Sequence, residues 1–324
     1  MQQYKLAPHS QRQPSVRELT ELTLRSFAAY HGVIEADDDF TGWFLRRPGM
    51  DPSLSWAAWH SDTLAASLFV TSVPLLVRGE AWQFGVVDTV MTHPNHRRQG
   101  LARALLQQTI AASRGSGLAA LQLYTAPGSA GYQLYLSLGF RPLRRLRYWQ
   151  RQPSHLPCTS STAWSKLEEG DWHVASALIE SLSDTYDGVP RLNEPLWRWR
   201  KLDRPASIAA NVWVVSTNAE PAGTATSCPV LLTGEGQNIL LNDLVLANPG
   251  DLCQLCSDIG QNAPIIAIAD TTDDHMQQAL QTAAFASGQE EAVMFLPLGQ
   301  PFLVDSLAQS SRPWFALTES IIGV

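Results

Sequence analysis

The chain has 324 residues, 45% apolar and 16% charged, with a formal net charge of −7 at pH 7. That length suits two domains with real cores; no run of about 18 apolar residues occurs, so no spanning helix is expected, and the opening MQQYKLAPHSQRQPS lacks the apolar stretch of a secretory signal, which points to the cytoplasm. Residues 1–152 hold 16 Lys and Arg against 10 Asp and Glu, whereas residues 153–324 hold 7 against 20: the first part suits a polyanionic ligand, the second repels one, and neither has the basic stretches of a nucleic-acid binder.

In chain order, a short strand at Tyr4–Ala7 is followed by the capping box Ser15-Val16-Arg17-Glu18, which opens a helix carrying Val16, Leu19 and Leu22 on one side. Asp37 to Asp39 cap a second helix through Phe44. Strand Leu54–His60, the turn Ser61-Asp62 and strand Leu64–Thr71 form a hairpin, the second strand resuming at Pro74–Arg78. Ala81–Thr92 is a long strand, Gln99–Ser113 a helix, Leu118–Thr125 a strand, Ser129–Leu138 a helix and Phe140–Arg151 a closing strand.

Gln152 to Thr162, with two prolines and five Ser/Thr residues, reads as a linker. The same order then repeats: helix Asp171–Ser183, a Trp-rich segment Leu196–Leu202, strands Asn211–Ser216 and Gly223–Leu232 turning at Asn218, strand Ile239–Ala247, helix Gly250–Ile259, strand Pro264–Ala269, helix Asp273–Ala284 and strand Glu291–Leu298. Local echoes support a duplication: WFLRRP (43–48) answers WRKLDRP (199–205), and YQLYLSLGF (132–140) answers MQQALQTAAF (276–285). The expected division is therefore 1–152, a linker over 153–162, and 163–324. Cysteines 158, 228, 253 and 256 are too few for a disulfide scaffold, and the lone Cys253-x-x-Cys256 has no second pair at zinc-finger spacing, so no metal is expected. Trp197, Trp199 and Trp213 read as core.

The segment that suggests chemistry is HPNHRRQGLARALL (93–106). A strand delivers the chain to His93-Pro94, and the chain turns into a helix whose first amides have no internal partner. Those amides and the positive helix end form an anion site. Gly100 lets a phosphate approach the backbone, and Arg97, Arg98 and Arg103 add positive charge. The terminal Gly-Lys-Ser/Thr of a P-loop and the G-x-G-x-x-G of a Rossmann fingerprint are both missing.

Arg97-Arg98-Gln99-Gly100-Leu101-Ala102, between a strand and a helix, resembles the pyrophosphate loop of the GNAT (GCN5-related N-acetyltransferase) family. Gly131-Tyr132-Gln133-Leu134-Tyr135-Leu136-Ser137-Leu138-Gly139-Phe140 resembles that family's A-x-x-L-Y-x-x-x-G-F motif, with Gly131 in the alanine position. The two motifs and the elements between them resemble the family over about residues 54–142. The wording HRRQGLA and the tandem layout are similar to the multi-domain branch that includes Eis-type acetyltransferases and mycothiol synthase, although the chain is short for the extra C-terminal domain of the Eis type. The resemblance implies a mixed α/β architecture of two tandem acyl-CoA N-acyltransferase folds.

It also implies acetyl-CoA as co-substrate and direct attack by a small-molecule or peptide amine. The oxyanion would be held by a backbone N–H near Val90, Met91 and Thr92. The pyrophosphate would rest on the loop from Arg97 and Arg98 through Gln99, Gly100, Leu101, Ala102 and Arg103. A tyrosine, with pKa about 10, can protonate a thiolate of pKa about 8.5, so Tyr135 is the expected proton donor, in preference to mere packing; Tyr132 reads as packing or cofactor contact. Val86 stands where relatives place a basic Glu. Asp88, two residues on and on the same face, is either a base or a strand anchor. His93 and His96 read as structural hydrogen-bonders, and Glu35 to Asp39 as a solvated helix cap rather than a lure for a cationic amine. In the second half Asn248-Pro249-Gly250-Asp251 puts an acid where phosphates would lie, and Leu280 takes the place of Tyr135. A degenerate fold without CoA is expected there, forming one wall of the acceptor site or a homodimer face. Two other readings stay open: a CoA-binding sensor without turnover, and transfer of a longer acyl chain. Neither nucleic acid nor membrane is an expected partner.

Overall fold

The computed structural model describes residues 4–30, 32–153, 163–260 and 262–315. Residues 154–162 of the linker expected over 153–162, with Cys158, lie outside them. The first half contains β1 (Tyr4–Pro8), α1 (Val16–Phe27), α2 (Asp38–Leu45), β2 (Trp56–His60), β3 (Thr63–Val77), β4 (Glu80–Thr92), α3 (Leu101–Ser113), β5 (Ala120–Thr125), α4 (Ala130–Ser137) and β6 (Arg141–Arg151). The second contains β7 (Trp164–Lys166), α5 (Trp172–Ser181), β8 (Val189–Pro190), α6 (Glu194–Trp197), β9 (Asn211–Thr217), β10 (Glu220–Leu232), β11 (Gly236–Val245), α7 (Pro249–Ile259), β12 (Ile265–Asp270), α8 (Asp274–Thr282), β13 (Ala286–Pro297) and α9 (Pro301–Gln309). The capping box at Ser15 forms as its spacing predicts, with Glu18 bonded back to the Ser15 amide at 2.8 Å. β3 runs unbroken through Pro74, because β2 has ended there and Arg191 donates to the Pro74 carbonyl at 2.9 Å. Helix α9 was not expected.

All the long strands join one mixed sheet, in the order β1-β2-β3-β4-β5-β13-β6-β12-β11-β10-β9-β7. The closing strands are exchanged. β13, from the second half, pairs antiparallel with β5, while β6, from the first half, pairs antiparallel with β12. The two exchanged strands pair with each other. The break in the sequence at 152 is thus not a break in the sheet, since each half completes its partner's.

One face of the sheet, called outer here, is covered by α3 and α4 in the first half and by α7 and α8 in the second. On the inner face α1, α2, α5 and the Trp-rich turn pack together between the halves, and Leu303, Val304 and Leu307 of α9 cover the central strands.

The echo WFLRRP/WRKLDRP is symmetric in space. Trp43 and Trp199 stack at 4.4 Å with planes 5° apart. Each indole N–H donates to the other's carbonyl at 2.9 Å. Arg47 lies over Trp199 at 5.5 Å and Arg204 over Trp43 at 5.4 Å. The pair is buried, which satisfies the Trp N–H groups without water. Trp43→Ala removes a buried aromatic and takes the indole donor from the Trp199 carbonyl, so a loss of about 3–5 kcal/mol is expected from the urea midpoint; a loss under about 1 kcal/mol would show that the two halves are not held through this pair.

Candidate active site

The last third of β4 shapes the site. Phe69 of β3 pairs with Asp88 and Ser67 with Met91, so one extra residue stands in β4. Thr89 takes it up, at φ +44°. β4 runs parallel to β5 only from Phe84 to Val86, opposite Ala120 to Gln122. Beyond that point residues 87–92 and 123–125 do not pair, and a notch opens between the two strands, with Val90, Met91 and Thr92 along its β4 side. An extended chain could add itself to such an edge.

The loop after β4 leads from the notch to α3. Gly100 stands at the start of α3 with φ +75°, and no side chain caps the helix. Ala104 donates to the Gly100 carbonyl at 3.0 Å, which leaves the amides of Leu101, Ala102 and Arg103 without helical partners. A Cβ on Gly100 would meet nothing within 4 Å. The glycine is therefore required by its backbone angle and by whatever approaches it, not by packing. Gln99 and Arg98 are exposed, Arg98 at φ +61°; Leu101 is buried and anchors the helix start.

Two of the three arginines are partly committed elsewhere. Arg97 donates to the Ser26 carbonyl at 2.6 Å, tying the loop to the end of α1. Arg103 donates to the Ser137 hydroxyl at 2.8 Å, tying α3 to α4. His93 accepts from the Asn95 amide at 3.2 Å, and His96 contacts the Tyr4 hydroxyl at 3.0 Å. Both imidazoles have lowered pKa values, through partial burial first and neighbouring imidazoles second, so they stay neutral near pH 7 beside the loop that opens α3.

Tyr135 packs in the same cluster as Leu101, Val87 and Leu123, beneath the loop and beside the notch. Its ring meets Phe140 edge-on at 5.9 Å. Burial, and to a lesser extent Tyr30, pushes its pKa well above the ordinary phenol value, so the hydroxyl stays protonated at any working pH. Tyr30, just past α1, was missed from sequence. Its signal was spacing: Tyr186 follows it at the same interval of 156 residues that separates the paired tryptophans.

Asp88 does not join this group. Its carboxylate points to the inner face and pairs with Arg47 at 2.5 Å, both side chains 4% exposed. On the same face, one strand beyond β5, β13 carries Glu291, next to Ala292, which pairs with Thr125. Glu291 is buried against the Tyr148 hydroxyl, and burial pushes its pKa up to about 8 despite that bond. With the folded pKa above the unfolded one, its contribution to stability is complete below about pH 4.5 and is lost as pH rises through about 8. Glu291→Gln is therefore expected to flatten the decline in melting temperature over that window; an unchanged slope would show the carboxyl to be ionised throughout.

The second half repeats the scaffold with the site closed. β11 carries the same extra residue, at Asp243 with φ +51°, and pairs with β12 only at Ile239–Leu241. Asp243 is buried and bonded to Arg200 and Lys201. The gap between β11 and β12 is filled by Tyr186, which bonds to Asp273, and by Trp314 and Phe315, leaving a cavity of about 40 Å³. At the start of α7 the buried Asp251 accepts from the Asn248 amide at 3.2 Å, so the helix end that would receive phosphate holds its own carboxylate.

Residues 15–143 match the family model described as an acetyltransferase (GNAT) domain. No curated protein matches the chain in sequence. Among solved structures it is similar to a GCN5-related N-acetyltransferase from Anabaena variabilis (TM-score 0.64, 14% identity, 90% of this chain and 72% of that one). It is also similar to Saccharomyces cerevisiae N-myristoyltransferase with bound myristoyl-CoA and inhibitors (0.71, 12%, 92% and 80%). A third is an Enterococcus faecalis protein described as a probable N-acyltransferase (0.62, 12%, 92% and 73%). These likenesses span both halves and show a shared fold. Residues 15–143 are thus similar to a GNAT acetyltransferase domain, within a mixed α/β fold that these N-acyltransferase structures share through both of its halves.

Proposed function

We propose that the chain transfers an acetyl group from acetyl-CoA to a primary amine, with all the chemistry in the first half. One contrast carries this reading. The start of α3 is uncapped, open at Gly100 and adjacent to a notch, whereas the equivalent helix start and gap in the second half are filled by the protein's own groups. The first site fits a pyrophosphate on its amides and an extended pantetheine arm along β4, and the second fits neither.

The chain's residues then divide the work. The amides of Leu101 to Arg103 bind phosphate oxygens, with the exposed Arg98 adding charge. An amide of the Val90–Thr92 edge, in the notch, donates to the acyl oxygen as negative charge develops there. Tyr135 gives its proton to the departing sulfur. Asp88, engaged by Arg47 on the far side of the bulge, holds α2 to β4 and so fixes the notch. The second half acts as scaffold and wall. The N-myristoyltransferase likeness keeps a longer acyl chain as the second reading. Calorimetric titration tests the proposal: acetyl-CoA is expected to bind at one site per chain. Two sites would mean the second half is active, and no binding would remove the acetyltransferase reading.

A further inference from the structure

A cavity of about 300 Å³ opens where the two halves meet. The equivalent turn of each half lines it: Pro127 comes from the β5–α4 connection and Thr271 from the β12–α8 connection. Tyr132 of α4 and residues 142–145 at the start of β6 line it too.

The sheet is incomplete beside it. β12 pairs with β6 only from Leu146 to Arg151, and Thr271 adds a last bond to the Arg145 carbonyl at 2.9 Å. The earlier residues of β6 have no strand beside them on that edge. β6 also bulges there: Val293 pairs with Arg144 and Met294 with Pro142, so Leu143 is an extra residue.

Positive charge gathers on this stretch. The Arg144 guanidinium is fixed by the carbonyls of Leu143 at 2.9 Å, Leu307 at 2.6 Å and Ser310 at 2.9 Å. Carbonyls carry no net charge, so these bonds orient the cation without neutralising it. Its Nε is buried and has no hydrogen-bond partner, and an unpaired buried donor on a charged group is costly. Arg145, exposed, reaches Glu290 at 3.2 Å, and Arg147 holds the same carboxylate at 2.6 Å, so one acid serves two cations. The other acids bonded to the lining are engaged. Asp270 accepts from the Thr272 hydroxyl at 2.6 Å and the Trp314 amide at 2.9 Å. Asp187 accepts from the Ser310 hydroxyl at 2.7 Å and the Arg78 amide at 3.0 Å.

We propose that this cavity binds a small organic anion, its carboxylate or phosphate oxygens accepting from Arg144, Arg145 and the Thr271 hydroxyl, its carbon body against Pro127 and Tyr132. The volume matches the roughly 300 Å³ at which pockets for small organic ligands begin, more than a bare inorganic ion fills. The site is separate from the loop that opens α3. Its arginines stand on β6, two strands beyond β5, or about 10 Å at roughly 4.8 Å per strand, and binding there needs no acyl transfer. Both halves contribute walls, so the occupant bridges them.

Calorimetric titration of the full chain near neutral pH, with citrate and with glycerol 3-phosphate, tests this. One saturable site per chain is expected for at least one probe, and the probe that binds identifies the anionic group. Arg145→Gln and Thr271→Val each remove one donor and are each expected to weaken binding about tenfold. Arg144 is left in place because its bonds hold the end of α9. Gly100→Glu, which puts a carboxylate at the α3 loop, is expected to leave the affinity unchanged. A urea melt shows that each variant is folded, and if one of the two donor variants unfolds the other still decides. Binding of neither probe, the same heats from sodium chloride at matched ionic strength, or unaltered affinity in a folded donor variant would each overturn the assignment. Binding lost in Gly100→Glu would place the anion at the α3 loop and overturn it as well.

Discussion

Gly100→Glu is expected to weaken acetyl-CoA binding by at least about a hundredfold while leaving the protein folded. The two effects separate because of the local geometry. At φ +75° a side chain costs about 1–2 kcal/mol of backbone strain, which a two-half core of this size tolerates. The added Cβ meets nothing within 4 Å, so no packing is lost. A carboxylate at a helix start is itself favourable, by roughly 0.3–1 kcal/mol, and offsets part of the strain. The same carboxylate sits over the amides of Leu101 to Arg103 and repels a pyrophosphate. In the second half Asp251 already places a carboxylate at the start of α7. Calorimetry with acetyl-CoA and a urea melt on the same sample make the comparison. Retained affinity in a folded variant would show that phosphate is held elsewhere. Lost affinity accompanied by a collapsed melt would be a folding effect, and Gly100→Ala, which keeps the strain without the charge, separates the two.

What was legible in the sequence was whatever a short stretch of backbone must do by itself. The open start of α3 was readable because a strand, a turn requiring a left-handed residue and an uncapped helix follow one another within a dozen positions. The closed α7 was readable for the same reason, from Asp251. The exchange of β6 and β13 was not. Each strand has the alternation and the preceding turn expected of a last strand, and alternation says which face is buried, not which neighbour supplies the hydrogen bonds. The echo of Trp43 and Trp199 was visible, but their reciprocal bonds depend on two turns 156 residues apart meeting face to face. Asp88 stood open between base and anchor because its partner, Arg47, lies 41 residues away, just past the end of α2. The cavity between the halves was hidden for the same reason: its walls come from the β5–α4 and β12–α8 connections and the exchanged strands.

Tyr135→Phe is expected to lower kcat by about 10²–10³ with the Kd of acetyl-CoA unchanged. The ring carries the packing: it meets Phe140 edge-on and lies in the cluster formed with Leu101 and Leu123. Phenylalanine keeps that volume, so neither the cradle nor the notch moves. What is lost is the proton. Burial raises the tyrosine pKa, which guarantees the protonated form but makes it a weak acid, and proton transfer becomes favourable only as negative charge builds on a sulfur close by. The rate effect is therefore largest where expulsion of the CoA thiolate limits the rate, and transfer to an acceptor that can pass its own proton to the sulfur should suffer less. pH-rate profiles supply the decisive contrast. In wild type no limb assignable to Tyr135 should appear below about pH 10, whereas in the variant the rate should depend on buffer acid concentration, as an external donor replaces the hydroxyl. An unchanged kcat would assign Tyr135 to packing alone and leave the thiolate to depart unassisted, and unchanged binding with no turnover in either protein would favour a CoA-binding sensor.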